Sequence, residues 1–114
     1  MGLDPAFVDF AEFPHLTPEI IRGYIDAHLG RLRALGYDVV SCLVDTGETA
    51  EEVTRRQLSL RRYDCVVIGA GLRAAPRLLL FEKLLNLVHA GAPDAKICFN
   101  SSPADTAEAV QRWI

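Results

Sequence analysis

The sequence predicts an α/β domain in which a small parallel sheet is sandwiched between two layers of helices. Three apolar runs of strand length carry that expectation: Asp38–Asp45 (DVVSCLVD), Asp64–Gly69 (DCVVIG) and Lys96–Asn100 (KICFN). They are rich in Val, Ile and Cys with little in-out alternation, the mark of parallel strands covered on both faces. Segments of helical period separate them, so successive strands must be joined by right-handed crossovers. A chain of 114 residues, 50% hydrophobic, is expected to fold as a single domain spanning residues 1–114.

Each helix has its own punctuation. The first opens at Thr17-Pro18-Glu19, where threonine can cap free amides and proline suits the first turn. Ile21, Ile25, Leu29, Leu32 and Leu35 follow its period, and Gly36 offers a left-handed stop. The second begins near Thr49, whose spacing to Glu52 reads as a capping box, and runs to about Arg61. The third starts at Pro76 and continues to Ala90, closed by Gly91 and Pro93. The fourth starts at Ser102-Pro103 with Asp105 in its first turn, and turns Ala107, Val110 and Ile114 toward the sheet.

This order is that of flavodoxin-like and receiver-like domains, except at the front. Only Met1, Gly2 and Leu3 precede the loop signal Asp4-Pro5, where such a domain has its central strand. The sequence therefore predicts a vestigial first strand at Met1–Leu3, or a start placed too far downstream. The connection Asp4–Leu16 exceeds the usual βα loop of about 2 to 6 residues. Its Phe7, Phe10 and Phe13 are expected to dock onto the body, since three exposed rings would be costly in water.

The stretch YDCVVIGAGLRAA contains G-x-G-x-x-A at Gly69, Gly71 and Ala74, the letters of a dinucleotide fingerprint. That fingerprint requires a helix starting at once, so that its amides meet a pyrophosphate. Pro76 falls where the helix should already be running, and the next strand ends in Asn100-Ser101-Ser102 with no acidic residue for a ribose. A flavin or dinucleotide bound through Gly69-Ala70-Gly71 is therefore the weakest of three readings, and no cofactor is expected. Cys42, Cys65 and Cys98 lack the close pairing of metal ligands and read as buried free thiols, so no metal is expected either.

Ligands of open α/β sheets bind beyond the carboxyl ends of the strands. The segments gathered there supply Asp45, Gly69, Gly71, Arg73, Arg77, Asn100, Ser101 and Ser102 as candidate ligand-binding residues. Arg73 and Arg77 could hold a small anion against the helix start at Ser102. Caps and tight turns require the same residue types for structural reasons, so both readings stay open. A hydrolase or transferase would use Asp45, Glu48 or His15 at the same rim, but no nucleophile, base and orienting partner can be assembled from spacing. The expectation is a non-enzymatic ligand-binding or self-associating module, with catalytic residues unknown.

On the third helix, Glu82, Asn86 and His89 form one polar stripe, and the apolar arc around them is wider than one sheet contact needs. That excess predicts a homo-oligomer joined through residues 77–90. A net charge of −3 offers nucleic acid no general attraction. The basic cluster Arg55, Arg56, Arg61 and Arg62 reads as a solvated face. The absence of a signal peptide or bilayer-length apolar run predicts a cytoplasmic protein without a membrane partner. From Asp4 through Trp113 the chain resembles a group of short uncharacterised bacterial proteins, through YDCVVIGAGLR, LLLFEKLLNLVHAGAP and KICFNSSPADTAEAVQRW. The resemblance implies fold and cytoplasmic location and supplies no activity.

Overall fold

The protein combines helices with two small parallel sheets. The computed structural model describes residues 1–8 and 15–114. Phe10 and Phe13 lie outside the described residues, and Phe7, expected to dock, is exposed instead.

Gly2–Leu3 forms β1 and pairs in parallel with β2, Leu43–Val44. The short first strand expected from the sequence is thus present. Cys65–Ile68 (β3) and Lys96–Phe99 (β4) pair in parallel over four register positions, from Cys65↔Lys96 to Ile68↔Phe99. Met1 ties the two sheets together. Its ammonium donates to the Val67 carbonyl at 2.6 Å, and its own carbonyl accepts from the Gly69 amide at 2.8 Å. The two sheets, β1–β2 and β3–β4, are thus joined at Met1 by two backbone hydrogen bonds.

The expected strand Asp38–Asp45 shrinks to two residues. A strand needs a neighbour for its backbone groups, and β1 is only two residues long. Val39–Cys42 therefore has no strand beside it, and the Val40 carbonyl and Cys42 amide have no hydrogen-bond partner among the described residues.

Helix α1 spans Pro18–Ala34, with the Thr17 hydroxyl oxygen accepting from the Ile20 amide at 3.2 Å and Gly36 leaving it at φ 97°. Helix α2 spans Ala50–Ser59, two residues short of the expected end. Its capping box is absent, because the Thr49 hydroxyl donates to Asp45 at 2.7 Å and does not cap the helix. Helix α3 spans Leu78–Gly91 and is preceded by a single 3-10 turn, Ala75–Arg77, that houses Pro76. The proline thus delays the regular helix further than the sequence suggested. Helix α4, Thr106–Gln111, follows a 3-10 turn at Pro103–Asp105. Ala107 and Val110 are buried as expected, but the helix ends before Ile114, which is 49% exposed.

Alternate residues of β3 face opposite ways. Val66 and Ile68 join a core with Leu3, Val44, Ala50, Leu84 and Val88, under α2 and α3. Cys65 and Val67 pack against a second core of Leu32, Cys98, Ala107, Ala109 and Val110, under α1 and α4. The third polar stripe, Glu82, Asn86 and His89, faces outward. Most of the apolar arc beside it is consumed by α2 and the sheet: a side chain at Gly91 would meet Leu58 at 3.1 Å, which shows how closely the two helices approach.

One buried group is out of balance. Thr54 is 1% exposed and its hydroxyl has no partner among the described residues. A buried unpaired hydroxyl costs about 1 to 3 kcal/mol. Thr54→Val is expected to raise stability by about 1 kcal/mol in urea unfolding, whereas a loss of that size would show that the hydroxyl has a partner in solution.

Candidate functional site

Of the residues singled out at the strand ends, Arg73 bonds Asn100 directly, Ser101 and Ser102 follow it in the next turn, and Asp45 lies in a separate turn. Asn100 is buried. Its side-chain oxygen accepts from the Ala70 amide at 3.2 Å, and its amide nitrogen donates to the Thr106 hydroxyl at 2.9 Å. Arg73 turns inward: its Nε donates to the Ile68 carbonyl at 3.0 Å and its terminal nitrogen to the Asn100 carbonyl. Its guanidinium carbon lies 4.8 Å from the centre of the Phe99 ring, which adds a cation–π contact. Arg73 therefore clamps the ends of β3 and β4. Arg77 reaches only the Gly71 carbonyl, at 3.4 Å.

The glycine motif has a structural cause. Gly69 has ordinary φ of −68°, but a Cβ there would sit 3.1 Å from the Met1 carbonyl oxygen. The close passage of the first strand leaves little room for a side chain there. A 3-10 turn at Ala70–Leu72 follows, in which the Leu72 amide donates back to the Gly69 carbonyl and the Arg73 amide to the Ala70 carbonyl. A Cβ on Gly71 would meet only ordinary contact with Leu3, at 3.6 Å.

At the fourth helix, the amides thought free for an anion hold a carboxylate of the chain itself. Asp105 accepts from the Ser101 amide at 2.9 Å, the Ser102 amide at 3.1 Å and the Ser101 hydroxyl at 2.7 Å. Its pKa is held below the ordinary aspartate value, first by the Ser101 hydroxyl and then by the Ser102 amide. Asp45 does the same in its own turn, accepting from the Gly47 amide at 3.0 Å and from Thr49. The Thr49 hydroxyl is the first cause of its lowered pKa. Gly47 adopts φ 141° to close that loop. No hydrogen bond links Asp45 to the Asn100 cluster among the described residues. The sequence signal for Asp105 was its spacing from Ser102, three residues on, which completes a capping box.

His15 is exposed, and Glu48 is exposed beside the Asp45 turn. Among the described residues, no three His, Cys, Asp or Glu side chains converge to hold a metal. No helix is long and apolar enough to cross a membrane.

A second feature lies within the sheet. Between Val39–Cys42 and Cys65–Val67 a slot opens on the amino-terminal side of Met1, with a cavity of about 450 Å³. Its apolar walls include Ile25 and Leu29 of α1, Leu58 of α2, Val40 and Val67, and the unpartnered Thr54 also lines it. In a parallel ladder alternate residues turn their backbone groups to opposite neighbours. Asp64 and Val66 serve β4, since the Asp64 carbonyl accepts from Lys96, so the Val67 amide and Cys65 carbonyl face the slot. The Met1 ammonium closes its inner end. Burial lowers the pKa of that ammonium, and the neighbouring Cys42, Cys98 and Cys65 thiols oppose the shift.

The three cysteines are free, as the sequence suggested. Cys65 and Cys98 are in contact, with sulfurs 3.2 Å apart. Their shared hydrogen bond pushes the Cys65 thiol up and the Cys98 thiol down. Burial raises Cys42.

Comparison with family models, curated proteins and solved structures finds no match.

The Asp105 geometry carries a pH dependence. Because its folded pKa is depressed, its contribution is whole above the unfolded value of about 3.9 and is lost as pH falls through the folded value. Urea unfolding from pH 7 to pH 3 should therefore show a smaller acid loss in Asp105→Asn than in the wild type. Parallel curves would mean that Asp105 is not held this way.

Proposed function

We propose that this chain is a non-enzymatic ligand-binding module whose binding site is the slot inside its sheet. The observation that carries the reading is the apolar cavity of about 450 Å³ between two walls whose backbone groups have no partner among the described residues. Its size falls in the range of roughly 300 to 1,000 Å³ that encloses ligands, and apolar walls with a few polar groups are typical of such sites. The strand-end rim offers less. Arg73, Asn100, Ser101 and Ser102 spend their polar groups on the chain itself, and Asp45 and Asp105 fill the anion positions. A hydrolase or transferase reading meets the same difficulty, since Asp45 is committed to its turn and His15 has no described partner.

The joining of the two sheets at Met1, with α1 and α4 over one core and α2 and α3 over the other, supports a three-layer sandwich of flavodoxin-like type with a shortened first strand. A cytoplasmic location fits the same reading.

The test uses an apolar fluorescent probe, 8-anilinonaphthalene-1-sulfonate. The wild type should bind it saturably and melt at a higher temperature in its presence. Val67→Phe and Leu29→Phe, which enlarge opposite walls, should weaken binding while circular dichroism stays unchanged. If the probe does not bind, or if both folded variants bind as the wild type does, the slot is not the site.

Self-association is a second reading, favoured by Leu78 and Leu79, which are 60% and 77% exposed at the start of α3. Light scattering after gel filtration should give a dimer mass that Leu79→Glu reduces to that of a monomer. A monomer for the wild type at high concentration removes this reading.

A further inference from the structure

We propose that Cys65 and Cys98 form a redox modification site, at which a hydroperoxide converts the two thiols into a reversible disulfide between β3 and β4. The residues are 33 positions apart in the chain, and the sheet brings them together. Cys65 stands opposite Lys96 and Cys98 opposite Val67, so Cys98 lies two positions beyond the residue that faces Cys65. An offset of two keeps both side chains on one face of the sheet, and both pack in the core under α1 and α4. Their sulfurs are 3.2 Å apart, and a disulfide bond is about 2.05 Å long, so an approach of only about 1.2 Å joins them.

Charge and access both suit the pair to oxidation. The reactive form of a thiol is its thiolate. Either sulfur can donate to the other, so when the pair loses one proton the remaining S–H stabilises the anion. The Asp64 carboxylate opposes negative charge at Cys65 and the Arg112 guanidinium favours it at Cys98. The anion therefore rests on Cys98 and reaches Cys65 by transfer of the shared proton. Cys98 is 2% exposed and Cys65 is half-buried. Only Cys65 has to meet the oxidant, because Cys98 reacts with it inside the core. Cys42 has neither advantage: it lies in the other core, and burial raises its thiol.

The chemistry balances with the hydroperoxide as the sole co-reactant. The Cys65 thiolate attacks one peroxide oxygen, the O–O bond breaks, and the departing oxygen takes up a proton and leaves as water or an alcohol. Cys65 is then a sulfenic acid. The Cys98 sulfur attacks the Cys65 sulfur, the S–O bond breaks, and the hydroxyl leaves with the Cys98 proton as water. Two electrons and two protons have passed from the thiols to the peroxide. An external dithiol reverses the bond by exchange.

The test treats the intact chain with hydrogen peroxide near neutral pH, at a protein concentration low enough to disfavour products between chains. Free thiols are then counted after unfolding in denaturant. They should fall from three to one, with a mass lower by two hydrogens and a proteolytic peptide pair joined through Cys65 and Cys98. Dithiothreitol should restore all three. Cys42→Ala should leave the crosslink intact, whereas Cys65→Ser and Cys98→Ala should each abolish it. Should Cys98→Ala not fold by circular dichroism, Cys65→Ser at the half-buried position carries the comparison. Retention of all three thiols would overturn the proposal. So would oxygen addition at Cys65 without loss of a second thiol, a crosslink that contains Cys42, or linked dimers on a non-reducing gel in place of the intrachain product.

Discussion

Parallel strands in the middle of a domain must pair their backbone groups on both edges, and in this molecule that requirement falls on one residue. Among the described residues, the backbone hydrogen bonds that link the β1–β2 pair to the β3–β4 pair are those of Met1. On the amino-terminal side of Met1, no hydrogen bond among the described residues joins Val39–Cys42 to β3, and the neighbouring features follow. β2 is cut to Leu43–Val44, Val39–Cys42 runs extended without a ladder, and the side chains of Ile25, Leu29 and Val67 are only half buried although their positions in sequence are those of core residues. Burying such side chains fully is worth roughly 1.5 to 3 kcal/mol each. Apolar surface therefore stays partly uncovered among the described residues along one line through the domain.

The opposite end of the sheet shows the reverse condition. Where α/β domains commonly leave amides open for a ligand, this one closes them. Arg73 reaches two strand-end carbonyls, Asn100 bridges the Ala70 amide and the Thr106 hydroxyl, and Asp105 gathers the amides of Ser101 and Ser102. Buried and half-buried polar groups are costly when unpaired, and a ligand would have to displace these internal bonds to use them. The contrast between a satisfied rim and an unsatisfied slot is what moves the functional reading from the first to the second.

Much of this was legible in the sequence, because helix starts and stops are local chemistry. Thr17-Pro18, Gly36 and Ser102-Pro103 act as the spacing implied, and Pro76 keeps α3 from starting beside the glycines. Less legible was anything decided by a distant neighbour. The run Asp38–Asp45 has strand composition throughout, yet its pairing depends on residues some forty positions away. Thr49 reads as a cap but is drawn to Asp45, a competition between two nearby acceptors that spacing does not rank. The polarity of the strand-end residues looked available because internal partners such as Asp105 are not visible as partners until the turns are built. Gly69 is instructive: the first glycine of the motif lies against a neighbouring backbone that is distant in sequence.

The two aspartate-closed turns, at Asp45 and Asp105, have an effect beyond their own loops. Each carboxylate is stabilised in its ionised form by the hydroxyl and amides around it, so neither loses its proton-free state until conditions are more acidic than an ordinary side chain would tolerate. Each is also partly exposed. They therefore keep their negative charge on the loops that carry them under acidity at which an ordinary aspartate would begin to lose it.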